Sequence, residues 1–327
     1  MSKWLYFNRR KEPCTDIPIV EVAFSALNDD RLFDAAADLV CEIISWSCTA
    51  GRTFLISTVC HRLLGLTLFI EKCVQAEDYE KMMRLSVIFV EAIEGYFNFI
   101  TDDLTCMESF LRILLIFTRL DDLSIVSQTI PGWLSAMTDL PEKYWHSACI
   151  TEIIGNLISF IVKHLAFPSN ELIETAVKKD EFRDFRHDIG EVLKNCCAII
   201  GSSKALSVPL HMLMDTIQKG SKWQEIEAAI FAFRTMAAEI DCKEEAVMGK
   251  IVQLLLSLPE NIFQISRVRY SSVLALGAFC EWLKLHPVFI APSVQVIFKS
   301  MAFPDTLAAS ILALKHISQT CSKVGCF

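Results

Sequence analysis

His146 and Cys149 stand three residues apart in a stretch that reads as helix, a spacing that brings an imidazole and a thiolate onto one face. Such a pair makes a nucleophile only when an acidic group orients the imidazole and a loop holds the oxyanion. Neither is identifiable, so the two residues read as a packed cysteine beside a half-exposed histidine. His187 and Glu191, four apart, could offer two metal ligands, but a third and fourth have no source, and a solvated polar face is the better reading. Cys196-Cys197 and Cys321 with Cys326 lack the Cys-x-x-Cys pairing of a zinc site. No Gly-rich phosphate loop, Gly-x-Ser-x-Gly elbow or His-Glu-x-x-His helix occurs. The chemistry-bearing residues therefore give no positive reason to expect an enzyme, a cofactor or a metal.

Composition narrows the classes further. A net charge of -8 disfavours direct binding of nucleic acid, which needs clustered Lys and Arg to displace counterions from phosphates, and makes basic protein partners more plausible. The 13 Cys are scattered without paired spacing, and Cys41, Cys60, Cys73, Cys149, Cys196, Cys280 and Cys321 sit among apolar neighbours, as reduced thiols in a reducing compartment do. The segment from Met1 to Cys14 mixes Trp4, Leu5 and Phe7 with Arg9, Arg10, Lys11 and Glu12, which is not the pattern of a signal peptide. The apolar stretches Leu111–Leu120 and Ile153–Phe167 are broken by Arg112, Arg119 and Lys163 before reaching spanning length, so no membrane insertion is expected.

The elements that must position these residues are helical. From Asp30, Leu32, Phe33, Ala36, Leu39, Val40, Ile43 and Ile44 recur at three and four. Phe182, Phe185, Ile189, Val192, Leu193, Cys196, Ile199 and Ile200 repeat the stripe, leaving Arg183, Asp184, Arg186, Asp188, Glu191 and Lys194 for the opposite side until Gly201 stops the helix. A third stripe runs from Trp223 to Ile240, with Ser221 as its expected N-cap. Breaks fall at Pro141, Pro168, Gly220, Pro259, Pro287 and Pro304; no strong domain boundary is visible, and the loop at Phe167–Asp180, the best candidate for a seam, reads better as a loop between repeats than as a true boundary.

Successive amphipathic helices build either a bundle or a solenoid, and repetition separates the two. Ala229-Ile230-Phe231-Ala232-Phe233, Ser272-Val273-Leu274-Ala275-Leu276 and Ser310-Ile311-Leu312-Ala313-Leu314 share one small-apolar-apolar-Ala-apolar pattern, their first residues 43 and 38 positions apart. That is close to the roughly 40 to 47 residues of HEAT and armadillo units. One further apolar helix lies in each interval, Val247 to Leu258 and Val288 to Ala302, giving two helices per unit. The central Ala lets neighbouring helices approach while Ile, Leu and Phe fill the seam. The expected fold is all-α: an α-solenoid, or superhelix, of antiparallel HEAT/armadillo-like helix pairs, running as one continuous array over residues 1–327.

The segment from Glu181, Glu-Phe-Arg-Asp-Phe-Arg-His-Asp-Ile-Gly-Glu-Val-Leu-Lys-Asn-Cys-Cys, resembles the middle repeats of the karyopherin-β (importin-β) nuclear import receptors, in the branch of transportin-SR and importin thirteen. The likeness continues through Trp223 to Ala228, Leu258-Pro259-Glu260, Val268 to Ser272, His286 to Phe289 and the closing helix to Cys321. It is good over residues 181–321 and weaker from Trp4 to Phe167. The resemblance implies a receptor of HEAT repeats that carries protein cargo, including Ser/Arg-rich RNA-binding proteins, passes nucleoporins, releases cargo when Ran-GTP binds, and shuttles between cytoplasm and nucleus. It also implies that the chain corresponds to the central part of such a receptor, without the terminal repeats that supply the main Ran surface and the arginine-rich cargo-reading helix. Acidic residues on polar faces, Glu181, Asp184, Asp188, Glu191, Glu225 and Glu227, are the candidates for contacting basic cargo or Ran. The alternatives are a scaffold or adaptor of the same fold with no transport role and, far behind it, an enzyme using His146 and Cys149.

Overall fold

A computed structural model describes residues 17–49, 53–145, 147–168, 176–220 and 222–322. His146 and the Ser221 cap expected from sequence lie outside the described residues. Every regular element among the described residues is helical. The chain separates into two compact units at Ile153/Ile154, within the helix Ala148–His164.

The first unit contains α1 (Ile17–Ala26), α2 (Phe33–Thr49), α3 (Thr53–Leu64), α4 (Thr67–Gln75), α5 (Tyr79–Ile100), α6 (Leu104–Thr118), α7 (Leu123–Asp139) and the start of α8 (Ala148–His164). Helices α2, α5 and α7 pack side by side in one row, and α1, α3, α4 and α6 line their other side. Asp78, Asp103 and Asp122 begin α5, α6 and α7 by accepting hydrogen bonds from the first free backbone N–H groups of each helix. The seams are filled by Phe89, whose ring centroid lies 5.9 Å from that of Phe110 and 6.0 Å from that of Phe117. Buried polar groups find partners: Trp133 Nε1 donates to Thr118 Oγ1 at 2.8 Å, and Tyr96 and Ser47 share a hydrogen bond between their hydroxyls.

A further apolar stretch, Thr53–Gln75, has the length and hydropathy (1.6) of a membrane span. It is interrupted at Gly65-Leu66 into two helices, with Leu55, Ile56, Val59, Leu63 and Ile70 buried inside the first unit and Phe54 and Leu68 exposed.

The second unit contains the rest of α8, then α9 (Ala176–Ile200), α10 (Ser202–Lys219), α11 (Trp223–Met236), α12 (Met248–Leu256), the short α13 (Glu260–Phe263), α14 (Ser266–Ala278), the short α15 (Cys280–Leu285), α16 (Ile290–Ser300) and α17 (Leu307–Cys321). Gly201 and Gly220, both with positive φ (84° and 66°), separate α9 from α10 and α10 from α11. Helices α9, α11, α14 and α17 pack in one row and α10, α12 and α16 in a second, which is the pairing expected from the repeated pentapeptide. Its central residues Ala232, Ala275 and Ala313 are all buried. The third copy departs from the first two: Ile311 and Leu312 are 53% and 43% exposed, because no helix among the described residues covers that side of α17.

Candidate functional site

Across the rows of the second unit, one device occurs twice. Arg186 of α9 is 5% exposed, donates from one guanidinium nitrogen to both carboxylate oxygens of Glu227 on α11 (3.0 and 2.9 Å), and lies 3.9 Å from the centroid of the Phe231 ring. Arg269 of α14 is 3% exposed, donates to both oxygens of Asp305 just before α17 (2.9 Å each), and lies 3.8 Å from the Phe303 ring. A planar guanidinium suits both contacts at once, gripping the carboxylate in its plane and resting its face on the ring. Ser271 of α14 donates to Glu227 at 2.7 Å, so one buried carboxylate ties α9, α11 and α14 together.

This geometry changes the reading of the six acidic candidates. Glu181, Asp184 and Asp188 are exposed on α9, and Glu191 follows half-exposed and paired with Lys194 at 2.7 Å. At steps of three and four they form one solvent-facing stripe. Glu225 is exposed but lies within 3.5 Å of Thr216 of α10, so it is separate from that stripe. Glu227 is 3% exposed and is not on a polar face at all. Arg186, which the same periodicity puts on the polar side, is also buried. Both residues satisfy their charge inside the seam, which one helix's periodicity cannot reveal because the partner lies one repeat away.

On the side of α9 turned to α11, an open groove of about 420 Å³ is lined by Arg186, His187, Gly190, Glu191, Lys194, Phe231, Arg234 and Thr235, among others. His187 sits 3.7 Å from Asp188, a ring nitrogen to a carboxylate oxygen, and no ligand set for a metal surrounds it or Glu191: among the described residues no group of three or more His, Cys, Asp or Glu is placed to hold an ion. Reasoning from sequence misses the guanidinium groups here. Arg186 stacks on Phe167 (4.5 Å) as well as Phe231, Arg267 approaches the same Phe167 ring (5.0 Å), and Arg234 stands 5.9 Å from Phe231. The signal that could find Arg186 is its offset of 41 positions from Glu227, close to the repeat length.

Four of the cysteines, Cys41, Cys60, Cys149 and Cys197, are poor nucleophiles. Cys149 is half-buried, and desolvation, reinforced by the nearby Glu108 carboxylate, pushes its thiol up to about 11. Burial likewise drives Cys41, Cys60 and Cys197 to about 12. At pH 7.5 these thiols are protonated and unreactive. A maleimide reagent is therefore expected to leave these four unmodified in the folded chain and to label them once it is denatured, read by intact-mass spectrometry; rapid modification of Cys149 without denaturant would revive a nucleophilic role.

Comparison with known proteins bears on the whole chain. Residues 77–164 match a family profile described as the second TPR domain of transportin-3/importin-13, and residues 245–325 match the third, together about half of the chain. The chain is similar to the mRNA transport regulator MTR10 of Saccharomyces cerevisiae, 31% identical over 99% of the chain, and to importin-13 of Gallus gallus, 23% identical over 98%. It spans about a third of the length of each of these relatives, 35% in both cases. Among solved structures it superposes on one titled importin13 cytosolic state with a TM-score of 0.78 at 15% identity, covering 94% of this chain and 39% of the other, which shows the fold: an α-solenoid of HEAT-type helix pairs. The likeness reaches into residues 77–164, the half where the sequence resemblance is weaker, and the α9–α11 seam lies between the two matched segments. Helix pairs at a 38- to 43-residue spacing, stitched by repeat-length ion pairs and matched along their whole extent to importins, place the chain in the transportin-3/importin-13 family of the karyopherin-β superfamily.

Proposed function

We propose that this chain is a cargo-binding part of a karyopherin-type nuclear import receptor, holding protein cargo on the helical surface of its repeats without a chemical step. Supporting this reading is the similarity to MTR10 along nearly the entire chain, a relative whose name is that of a transport regulator. The partners proposed are basic or Ser/Arg-rich proteins, nucleoporins, and Ran-GTP as the signal for release, with shuttling between cytoplasm and nucleus as the setting. The stripe Glu181, Asp184, Asp188 and Glu191, together with Glu225 at a separate exposed position on α11, supplies the negative surface for a basic segment; Glu227, being buried, is not part of it.

The test uses the purified chain and a Ser/Arg-repeat peptide in a fluorescence polarisation titration. Reversing Glu181, Asp184, Asp188, Glu191 and Glu225 to Lys together is expected to weaken binding by at least tenfold, and Ran loaded with a non-hydrolysable GTP analogue to compete where Ran-GDP does not. Retained binding after the fivefold reversal removes these residues as the contact. A chain that binds neither Ran-GTP nor Phe-Gly nucleoporin repeats is a scaffold or adaptor on the same fold.

A further inference from the structure

The groove between α9 and α11 is lined by Arg234, an arginine with no paired carboxylate among the described residues, and Arg267 stands close to the same cluster of rings. Three guanidinium groups, Arg186, Arg234 and Arg267, gather around the rings of Phe167 and Phe231. Glu227 is buried behind them and held by Arg186 and Ser271, and the carboxylate that lines the groove itself, Glu191, is paired with Lys194. Arg234 and Arg267 are exposed, and among the described residues neither has a carboxylate within ion-pair distance. Arg186 lines the groove with its side chain 94% buried, and its Nε–H finds no acceptor. A buried donor left unmade is costly, and buried N–H groups almost always have a partner. Lys194, the other cation of the groove, is engaged by Glu191.

Repulsion among like charges is tolerated at a surface that a partner covers, and the aromatic faces lower its cost by stacking the guanidinium planes. In a chain of net charge -8, a concentration of positive charge is a local exception. The acidic stripe of Glu181, Asp184 and Asp188 runs along the same helix a few ångströms of arc away, so the face is bipolar: positive toward α11, negative on the side away from it. A uniformly acidic polymer would be repelled by the stripe and a uniformly basic one by the groove.

We propose that this groove receives the carboxylate of an Asp or Glu side chain in a mixed-charge segment of a protein partner, whose neighbouring basic residues lie on the Glu181–Asp188 stripe. This rests on the protein-binding reading above and sharpens it, since the segment recognised is bipolar and not simply basic. Arg234 makes the contact, with Arg267 adding to the local potential. The groove also offers a π-face, Phe231, for the aliphatic part of the entering side chain.

The experiment compares two fluorescein-labelled peptides on the purified 327-residue chain, one with a Glu-Glu pair beside three arginines and one with Gln-Gln in its place. The Glu peptide is expected to bind at least tenfold more tightly. Arg234→Gln should remove most of that ratio, and Arg234→Gln with Arg267→Gln all of it, while leaving the affinity of the Gln peptide unchanged. Arg183→Gln, an exposed site already paired with Asp180 at 2.6 Å, should change neither. Both arginines are exposed, so loss of fold is not expected, and circular dichroism of each variant confirms it. Equal affinity for the two peptides on the wild-type chain, or a ratio that survives the double substitution, overturns the proposal. So does discrimination seen only with a phosphoserine pair or only with a uridine oligonucleotide, because the groove would then read phosphate. No Ran, nucleoporin or nuclear import enters this assay, so loss of the transport reading with the peptide ratio intact leaves the groove standing, and the reverse outcome leaves transport standing.

Discussion

Arg186→Met is expected to lower the stability of the second unit by about 3–5 kcal/mol, the cost of leaving one partner of a buried ion pair without the other. Glu227 is 3% exposed, and after the substitution its carboxylate would keep only the Ser271 hydroxyl at 2.7 Å. Burial already opposes the charge on Arg186, pulling the guanidinium below its usual value against the pull of Glu227, but a guanidinium stays protonated in a protein. The comparison that isolates the ion pair is Arg186→Met with Glu227→Leu. Two apolar side chains of similar volume remove both desolvation penalties, and the double variant is expected to recover most of the loss, because a buried pair is commonly no better than well-packed hydrocarbon. Urea unfolding of the second-unit transition for the two single variants and the double gives the coupling directly. If Arg186→Met costs under about 1 kcal/mol, or the double variant is no better than the single, the seam is not held in the way the geometry indicates.

Which parts of this were legible in the amino-acid sequence follows from what a single helix can show. The stripes at Phe33–Ile44 and Phe182–Ile200 became α2 and α9 because burial against one neighbouring layer imposes a 3.6-residue period, and that period survives in one dimension. The repeated pentapeptide falls inside α11, α14 and α17, and the intervening helices expected at Val247 to Leu258 and Val288 to Ala302 became α12 and α16 within one or two residues of their bounds, whereas the stripe expected to reach Ile240 ends as an α-helix at Met236. Pro131 and Pro209, inside α7 and α10, do not act as breaks. Arg186 and Glu227 are misplaced by periodicity for a different reason. A polar residue on the apolar edge of one helix looks solvated until its partner is known, and that partner sits 41 residues away on the next helix of the row. Arg62 with Glu21, Arg112 with Glu152 and Lys299 with Glu260 obey the same spacing, at 41, 40 and 39. Besides pairs three or four residues apart such as Glu191 with Lys194, charges here are paired between helices about one repeat apart, so the search that finds the inter-helix pairs compares opposite charges at the repeat period. The uncompensated Arg234 and Arg267 had no such signal, because what distinguishes them is the absence of a neighbouring carboxylate in three dimensions.

Gly277 lets α14 approach α17 closely, and Gly277→Ala is a substitution for which propensity and packing predict opposite signs. In an exposed helix interior, replacing Gly with Ala gains about 1 kcal/mol by restricting the unfolded chain. At Gly277 a Cβ would stand 2.7 Å from both the Cα and the Cβ of Ala313, on the neighbouring α17. Half of that clash is with backbone, which cannot rotate away, so α14 and α17 must separate along their whole length of packing and loosen the seam that Val273, Leu276 and Ile317 fill, all of them fully buried. Overpacking of this kind costs about 1–3 kcal/mol, and with backbone involved the upper end is expected, so the net change should be destabilising by about 2 kcal/mol after the propensity gain is subtracted. Ala313→Gly in the same chain should restore only part of it, because the backbone of residue 313 would still stand 2.7 Å from the added methyl group. Gly249 provides the control: in α12 an added Cβ meets nothing within 4 Å, and Gly249→Ala should be neutral or stabilising by up to about 1 kcal/mol. Thermal unfolding of the two single variants therefore moves in opposite directions if the α14–α17 approach is as close as the structure has it, and a Gly277→Ala chain as stable as Gly249→Ala would show that the two helices stand further apart.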